Sequence, residues 1–454
     1  HKPYWEQQPS DITKPQEPFQ PCSTPSKNNR RYLVLNNVGS INSTKNDSYS
    51  MINVEFHNKT QNRGYNLHDD FNYSMACLNF QGALFAVGSS KDSPSVLFFK
   101  SQNTWAIKNE WMTTFPKDEV IIGIALSSLA IIVATSKNFI RLFTLSGVQL
   151  YIFALDSVVC MDAYQEFALI VYHLGTGYRG SQNLGYMLYN VETNDIVQKE
   201  QLPISKDSTL EWIGFSDKGL PAMYDSEGVL SILHRHRQYH QARWIPVLYT
   251  RNNPNPDDEA SYYWPVGLNE NKFLCIACKD GERMPRYPRQ KFHEFDWQIP
   301  LLNLDKPIGK TEEVYARMNL LIKFECDEIR AKKKSIDEEK QKELVKKHLE
   351  LDKMLLTTIR TSCKESRLQH ALDLAKLLNS TKSLESAIKI ASFYESHSLA
   401  EKIHKLKSNL GSARNDLIRP GSSGKVILTD DTCISDIREL TEADYVEISP
   451  TEDF

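Results

Sequence analysis

Between residues 119 and 155 the apolar positions fall into four short runs, 120–126, 129–135, 139–145 and 148–154. Ser127-Ser128, Ser136-Lys137-Asn138 and Ser146-Gly147 separate them. Small polar residues between runs of this length reverse the chain, so the stretch predicts four antiparallel strands joined by tight turns. A sheet of that size has two bare edges, and its first two strands are apolar on both faces. It must therefore stack between sheets like itself.

The same texture recurs on either side. An irregular first unit holds strands at 31–39 and 50–57, and a second holds 75–80, 83–88 and 95–100, closing near 105–111. A fourth runs through 158–173 and 184–190, interrupted by a loop at 174–183. The fifth has strands at 210–215, 220–224, 229–233 and 244–248, with Asp217-Lys218-Gly219 and Ser226-Glu227-Gly228 as turns; the sixth has 262–268, 273–279 and 292–297. Six units at roughly 40 to 50 residues have the period of β-propeller blades, whose radial stacking buries both faces of each small sheet. A two-sheet sandwich would not need six similar meanders. No Trp-Asp dipeptide closes a strand, so period and strand pattern carry the prediction. The expected fold is mainly β with an α-helical appendix: a six-bladed β-propeller over 31–305 followed by a helical bundle over 306–411.

Prolines at 3, 9, 15, 18, 21 and 25 block helix and ladder alike, so 1–30 reads as an extended linker. After Pro300 the period changes to helical. Val314, Met318, Leu321, Ile322 and Ile329 share a face, with Thr311 as the expected N-cap. Ser335 and Glu338 read as a capping box for a second helix with Val345, Leu349, Asp352, Leu356 and Ile359 on its stripe. Shorter helices are expected at 367–378, 384–394 and 399–406, the last capped by Ser398 and Glu401. From 412 to 454 the chain reads as a flexible acidic tail, a Gly-Ser spacer followed by a ligand-like segment.

Composition narrows the chemistry. A net charge of -3 gives no global field for nucleic acid or acidic membranes, so such contacts would need a local patch. No apolar run approaches the roughly 18 residues that cross a bilayer. The polar, Pro-rich start has no signal-like run and reads as a cut inside a longer protein. Eight scattered cysteines read as reduced thiols, and hence as an intracellular setting.

Gly175, Gly177 and Gly180 spell G-x-G-x-x-G, but the segment joins two strands with no helix after it, so a blade loop is expected. Cys275 and Cys278 have metal-knuckle spacing inside a strand, without a second pair. The most basic run, 234–243, offers Arg235, Arg237 and Arg243 for a phosphate backbone; Lys332-Lys333-Lys334 is a second patch. A solvated loop is the simpler reading of each. No catalytic triad, P-loop, HExxH or other catalytic motif occurs, and neither metal nor cofactor is expected. In the appendix, Leu368, Leu372, Ala375, Ala387, Ala391, Leu399 and Ile403 are by default bundle core. Alternatively, part of this stripe lines a shallow groove for an amphipathic helix, with Lys382, Lys402, Lys405 and Lys407 suiting an acidic partner.

The runs ATSKNFIRLFTLSGVQ (134–149), IVYHLGTGYRGSQNLG (170–185), LEWIGFSDKGLPAMYDSEGVL (210–230), YYWPVGLNENKFLCIACK (262–279) and SCKESRLQHALDLAKLL (362–378) occur in one order. They resemble the C-terminal half of the replisome adaptor family that includes the fungal chromosome transmission fidelity factor and the animal acidic nucleoplasmic DNA-binding protein. The resemblance spans roughly 20–415. It implies a SepB-type six-bladed propeller with a helical extension, assembled as a homotrimer in the nucleus. It further implies a non-enzymatic hub supporting DNA replication and sister chromatid cohesion on chromatin. That hub joins the GINS subunits of the replicative helicase to the catalytic subunit of DNA polymerase α and other factors, docking peptides of the type Asp-Asp-Ile-Leu on the helical extension. The family's N-terminal WD-repeat domain lies outside this sequence. Residues 420–454 depart from the family, and Asp430-Asp431 with Ile434 loosely resemble the docking peptide, which raises a fused or self-docking ligand. The rival expectation is a direct DNA-binding module built on the basic patches.

Overall fold

A computed structural model describes residues 12–46, 49–91, 93–102, 109–252, 262–269, 271–279, 281–285, 292–331 and 338–417. The chain divides into two compact units, His1–Gln298 and Ile299–Phe454.

The first unit opens with a two-residue strand, β1 (Ile12–Thr13), and continues as six antiparallel sheets. Blade 1 holds β2 (Arg30–Leu35), β3 (Gly39–Lys45), β4 (Ser50–Phe56) and β5 (Tyr65–His68). Blade 2 holds β6 (Met75–Asn79), β7 (Gly82–Val87), β8 (Val96–Ser101) and β9 (Glu110–Thr114). Blade 3 is the stretch whose pattern is plainest, β10 (Ile121–Leu126), β11 (Ala130–Thr135), β12 (Phe139–Thr144) and β13 (Gln149–Ala154). Blade 4 holds β14 (Val158–Tyr164), β15 (Phe167–His173), β17 (Leu184–Asn190) and β18 (Asp195–Gln201), with β16 (Gly177–Tyr178) in its loop. Blade 5 has β19 (Leu210–Phe215), β20 (Pro221–Asp225), β21 (Val229–His234) and β22 (Arg243–Tyr249). Blade 6 has β23 (Tyr262–Asn269), β24 (Lys272–Cys278) and β25 (Phe292–Asp296). This is the expected six-bladed propeller.

Separate apolar cores form between successive blades. Ile52 and Phe85 join blades 1 and 2, Phe99 and Ile131 blades 2 and 3, Ile132 and Ile170 blades 3 and 4, and Leu188 and Ile213 blades 4 and 5. Tyr224 lies 5.1 Å from Phe273 between blades 5 and 6, and Leu35 packs with Trp264 and Val266 to close the ring. Both faces of each inner sheet are thereby removed from water, as the unbroken apolar runs required.

At the ends of the inner strands, polar side chains hold each turn and reach the neighbouring blade. Asn36 Oδ1 accepts from the Val38 and Gly39 amides while its Nδ2 donates to the Leu78 carbonyl. Asn79 does the same for Gln81 and Gly82, donating to Leu126 and Ser127. At the β12–β13 turn Gly147 has φ +93°, and a Cβ there would sit 2.9 Å from the Trp111 ring, so this turn requires glycine.

The structure corrects several boundaries. Polar β3, GSINSTK, pairs along its whole length with β4, although its side chains gave no apolar run. Residues 12–27, read as part of a linker, contain β1 and run through the propeller, as described below. In the second unit, α1 (Pro307–Ala331) starts at a proline, which suits a first turn, and Thr311 lies inside it, donating to the Pro307 carbonyl at 3.0 Å rather than capping. The helices α2 (Glu338–Lys364), α3 (Leu368–Ala375), α4 (Thr381–Phe393) and α5 (His397–Leu417) follow. Ser380 caps α4 through Ser383, and α5 begins before Ser398, so Ser398 is not its cap. Ser335 and Lys332-Lys333-Lys334 lie outside the described residues, as does the tail from 418.

Candidate functional site

The short helices of the second unit are fastened to α2 by one acid. Asp352 is 1% exposed and accepts from the Asn379 amide and side chain and from the Ser380 amide at 3.0–3.1 Å. Burial raises its pKa, against the lowering effect of these donors. His370 links three helices: its Nδ1 lies 2.8 Å from Ser362 Oγ and its Nε2 lies 3.4 Å from Glu312 Oε1. With this frame fixed, Ala375, Ala387, Ala391, Leu399 and Ile403 come together in one buried cluster, four of the five being 0–1% exposed. Leu368 and Leu372 lie at its edge, half-buried, and Lys402 is exposed. Small alanines let α3, α4 and α5 approach closely. Exposed Leu377 and Phe393, with half-buried Ile388 and Tyr394, complete the apolar surface of these helices. Of the nearby lysines, Lys405 pairs with Glu401 at 3.0 Å and Lys407 with Glu385.

The basic loop of blade 5 is largely committed to the fold. His236 is 1% exposed, stands edge-on to Phe167 at 5.4 Å, and is pushed down to about 3 by burial and by Arg237 and His234. Arg237 pairs with Glu166 and lies 4.9 Å over the Phe167 ring. Arg235 holds a left-handed turn, φ +59°, and Arg243 is exposed at the start of β22.

The G-x-G-x-x-G segment is a blade loop. Its Gly177 lies in β16, paired with β1, where a Cβ would meet the Ser181 carbonyl oxygen at 2.3 Å. Cys275 and Cys278 are buried in β24, and a separation of three along a strand points them to opposite faces. Among the described residues no group of His, Cys, Asp or Glu is arranged to hold a metal, seven cysteines are free, and no helix is long and apolar enough to cross a membrane.

What sequence reading missed is what occupies the central channel. The segment after β1 threads it, touching every blade. Gln16 Nε2 donates to the Leu210 carbonyl at 2.6 Å while its Oε1 accepts the Leu210 amide at 3.0 Å. Gln20 makes the same paired contact with Ile124, at 2.7 and 3.3 Å. The Phe19 amide donates to Val159, and the Leu35 amide donates to Cys22. Trp212 donates to Cys22 Sγ at 3.2 Å, Cys22 Sγ contacts the Val266 carbonyl, and Gln20 Nε2 contacts Cys77 Sγ. The innermost strands have no further strand to satisfy them, and the glutamine amides act as a backbone substitute. A signal was present: Gln16 and Gln20, interleaved with Pro15, Pro18 and Pro21, are amides on a chain held extended.

At one end of the channel a cavity of about 280 Å³ remains. It is lined by Gln20, Pro21 and Cys22 of the channel segment and by Asp162, Asn37, Tyr164, Phe80 and Phe215. Burial pushes Asp162 up to about 7, and the thiols of Cys22, Cys77 and Cys160 are also raised, Cys22 to about 12.

These two units define a β-propeller protein with an α-helical extension. Residues 17–301 match the family model described as minichromosome loss protein, Mcl1, middle region, and 309–411 match that of the DNA polymerase alpha-binding protein Ctf4, C-terminal domain. The chain belongs to this Mcl1/Ctf4 family. It is 35% identical to minichromosome loss protein 1 of Schizosaccharomyces pombe over 87% of this chain and 49% of that protein. It is 33% identical to WD repeat and HMG-box DNA-binding protein 1 of Mus musculus, over 87% and 35%. With the DNA polymerase alpha-binding protein of Saccharomyces cerevisiae it shares 24% identity over 86% and 48%. The chain thus spans about a third to a half of the length of the curated relatives it matches.

Proposed function

We propose that this chain is a non-enzymatic adaptor of the DNA replication fork that binds DNA polymerase α. The observation that carries this reading is the match of 309–411, the helical extension, to the C-terminal domain of a DNA polymerase alpha-binding protein. In this reading 31–305 is the rigid support and 306–411 the docking module. Partners present short acidic-apolar helices of the Asp-Asp-Ile-Leu type, and the catalytic subunit of DNA polymerase α and the GINS subunits of the helicase are among them. The adaptor works as a nuclear homotrimer and contributes to sister chromatid cohesion. Helix-in-groove docking needs apolar anchors at an accessible surface. That Leu368 and Leu372 are half-buried supports reading them as the anchors, and Ala387 and Ala391 would support the groove from beneath. The internal commitment of Arg237 weighs against the rival reading of direct DNA binding.

The test is a fluorescence-anisotropy titration of an Asp-Asp-Ile-Leu helical peptide against the full chain and its Leu372→Glu variant. Saturable binding is expected, weakened at least tenfold in a variant whose circular dichroism is unchanged. A folded parent chain that shows no saturable binding overturns the reading.

A further inference from the structure

The cavity at the end of the propeller channel is lined by Gln20, Pro21 and Cys22 of the channel segment and by Phe80, which is 54% exposed. Most polar groups around it are already engaged: Asn36 and Asn79 hold their turns, Ser216 Oγ accepts two amides, and the Tyr164 hydroxyl donates to the Asp217 carbonyl at 2.7 Å. One carboxyl is left over. Asn37 Nδ2 donates to Leu268 at 2.7 Å, and its Oδ1 is shut off from solvent, 2.2 Å from where a Gly267 Cβ would sit. The Asp162 carboxyl has only the Ala163 amide beside it, and among the described residues that line the cavity none is Lys, Arg or His. Around this carboxyl the walls are apolar and aromatic, with Tyr164 and Phe215 stacked at 6.0 Å.

This combination selects a ligand. An anion would meet the carboxylates of Asp162 and Asp217, and a wholly apolar guest would leave the Asp162 carboxyl unpaired. A bare metal ion would find no cluster of ligands. We propose that this cavity binds a protonated primary amine on an aliphatic stem, with Asp162 as its counter-ion and the rings of Phe80, Tyr164 and Phe215 along the stem. A lysine side chain offered by a partner protein and a free alkylamine share this chemistry. An ammonium supplies the donors that the Asp162 carboxylate lacks and is attracted to aromatic faces. The reading is independent of peptide docking on the helical extension.

Binding requires Asp162 ionised and the amine protonated. With Asp162 near 7, affinity is highest from about pH 7 up to the amine's own pKa near 10 and falls below pH 7. The other titratable groups facing it are the Cys22, Cys77 and Cys160 thiols, which burial keeps neutral across this range, and Asp217 at the mouth.

The experiment is calorimetric titration of the full chain at pH 8 with pentylamine, with a lysine blocked at both ends, and with neutral pentanol. Saturable binding of an amine, no binding of pentanol, and at least tenfold weaker binding at pH 5.5 and in Asp162→Asn are expected. Phe80→Ala, on an exposed rim, should weaken the amine without touching the core. Binding of the blocked lysine marks a site for a protein side chain, and binding of pentylamine alone marks a small-molecule site. Failure of both amines on the folded chain, or equal binding by Asp162→Asn, overturns the proposal.

Discussion

Two carboxylates in the propeller show how environment sets the sign of a pH effect. Glu119 is 1% exposed, and Arg141 grips both its oxygens, Nε to Oε1 and Nη2 to Oε2, each at 2.8 Å. That bidentate bond holds its pKa low, so its stabilisation is present above the ordinary carboxylate range and is lost as pH falls. Glu119→Ala strands Arg141 between Phe115 and Phe139 and should cost about 3 kcal/mol, read by chemical denaturation at pH 7. Asp162 works in the opposite direction. Its folded pKa of about 7 lies above the ordinary aspartate value of 3.8, so its contribution is complete below about pH 4 and is lost as pH rises towards 7. The full shift is worth about 4 kcal/mol, and water reaching the carboxyl from the cavity reduces this to roughly 2. Asp162→Asn should therefore match the parent at pH 4 and melt several degrees higher at pH 8 by calorimetry; a variant less stable at pH 8 would refute this.

At the scale of elements, the channel segment behaves as a seventh component of the propeller. Gln16 and Gln20 each satisfy one amide and one carbonyl on inner strands, beside bulges at 210–212 and 121–123 where the ladder is irregular. Replacing both by alanine takes the glutamine partners from three buried backbone groups and leaves the Ile124 carbonyl with Cys77 Sγ at 3.3 Å, at about 1–3 kcal/mol for each glutamine lost. The double variant should melt cooperatively but lower, with faster amide exchange at Ile124 and Leu210; unchanged exchange would show that water substitutes for the side chains. Blade 3 was legible because its apolar runs, 120–126 and 129–135, record burial on both faces, and Ser146-Gly147 records a turn. Strand β3 was not, since it is ordered by pairing with β4 rather than by its own side chains. The channel segment was opaque for a related reason: prolines report an extended chain but not the strands it will meet. The helical stripe was legible as a stripe. Periodicity marks one face of a helix, and burial of Ala387 and Ala391 against α2 and α5 is decided by contacts far apart in sequence.

For the whole molecule, the proposed adaptor gains from assembly only if several docking modules act together. A single helical peptide held by a shallow apolar surface buries little area, and such contacts are weak and brief. Linking two peptides makes the second binding event intramolecular, which raises overall affinity by about 10²–10⁴ when the linker spans the sites, without any new contact. A homotrimer of this 52.1 kDa chain would sediment at about 156 kDa. We expect that species in analytical ultracentrifugation, and a ligand carrying two copies of the docking helix on a long flexible linker to bind it at least tenfold more tightly than one copy does. Leu372→Glu, at the edge of the α3–α5 cluster, should weaken both modes together while leaving the mass unchanged. A chain sedimenting at the mass of one copy, for which the double peptide binds no better than the single, would leave the docking surface in place but remove the hub. The coupling of two enzymes at a fork would then need a separate site for each on one chain.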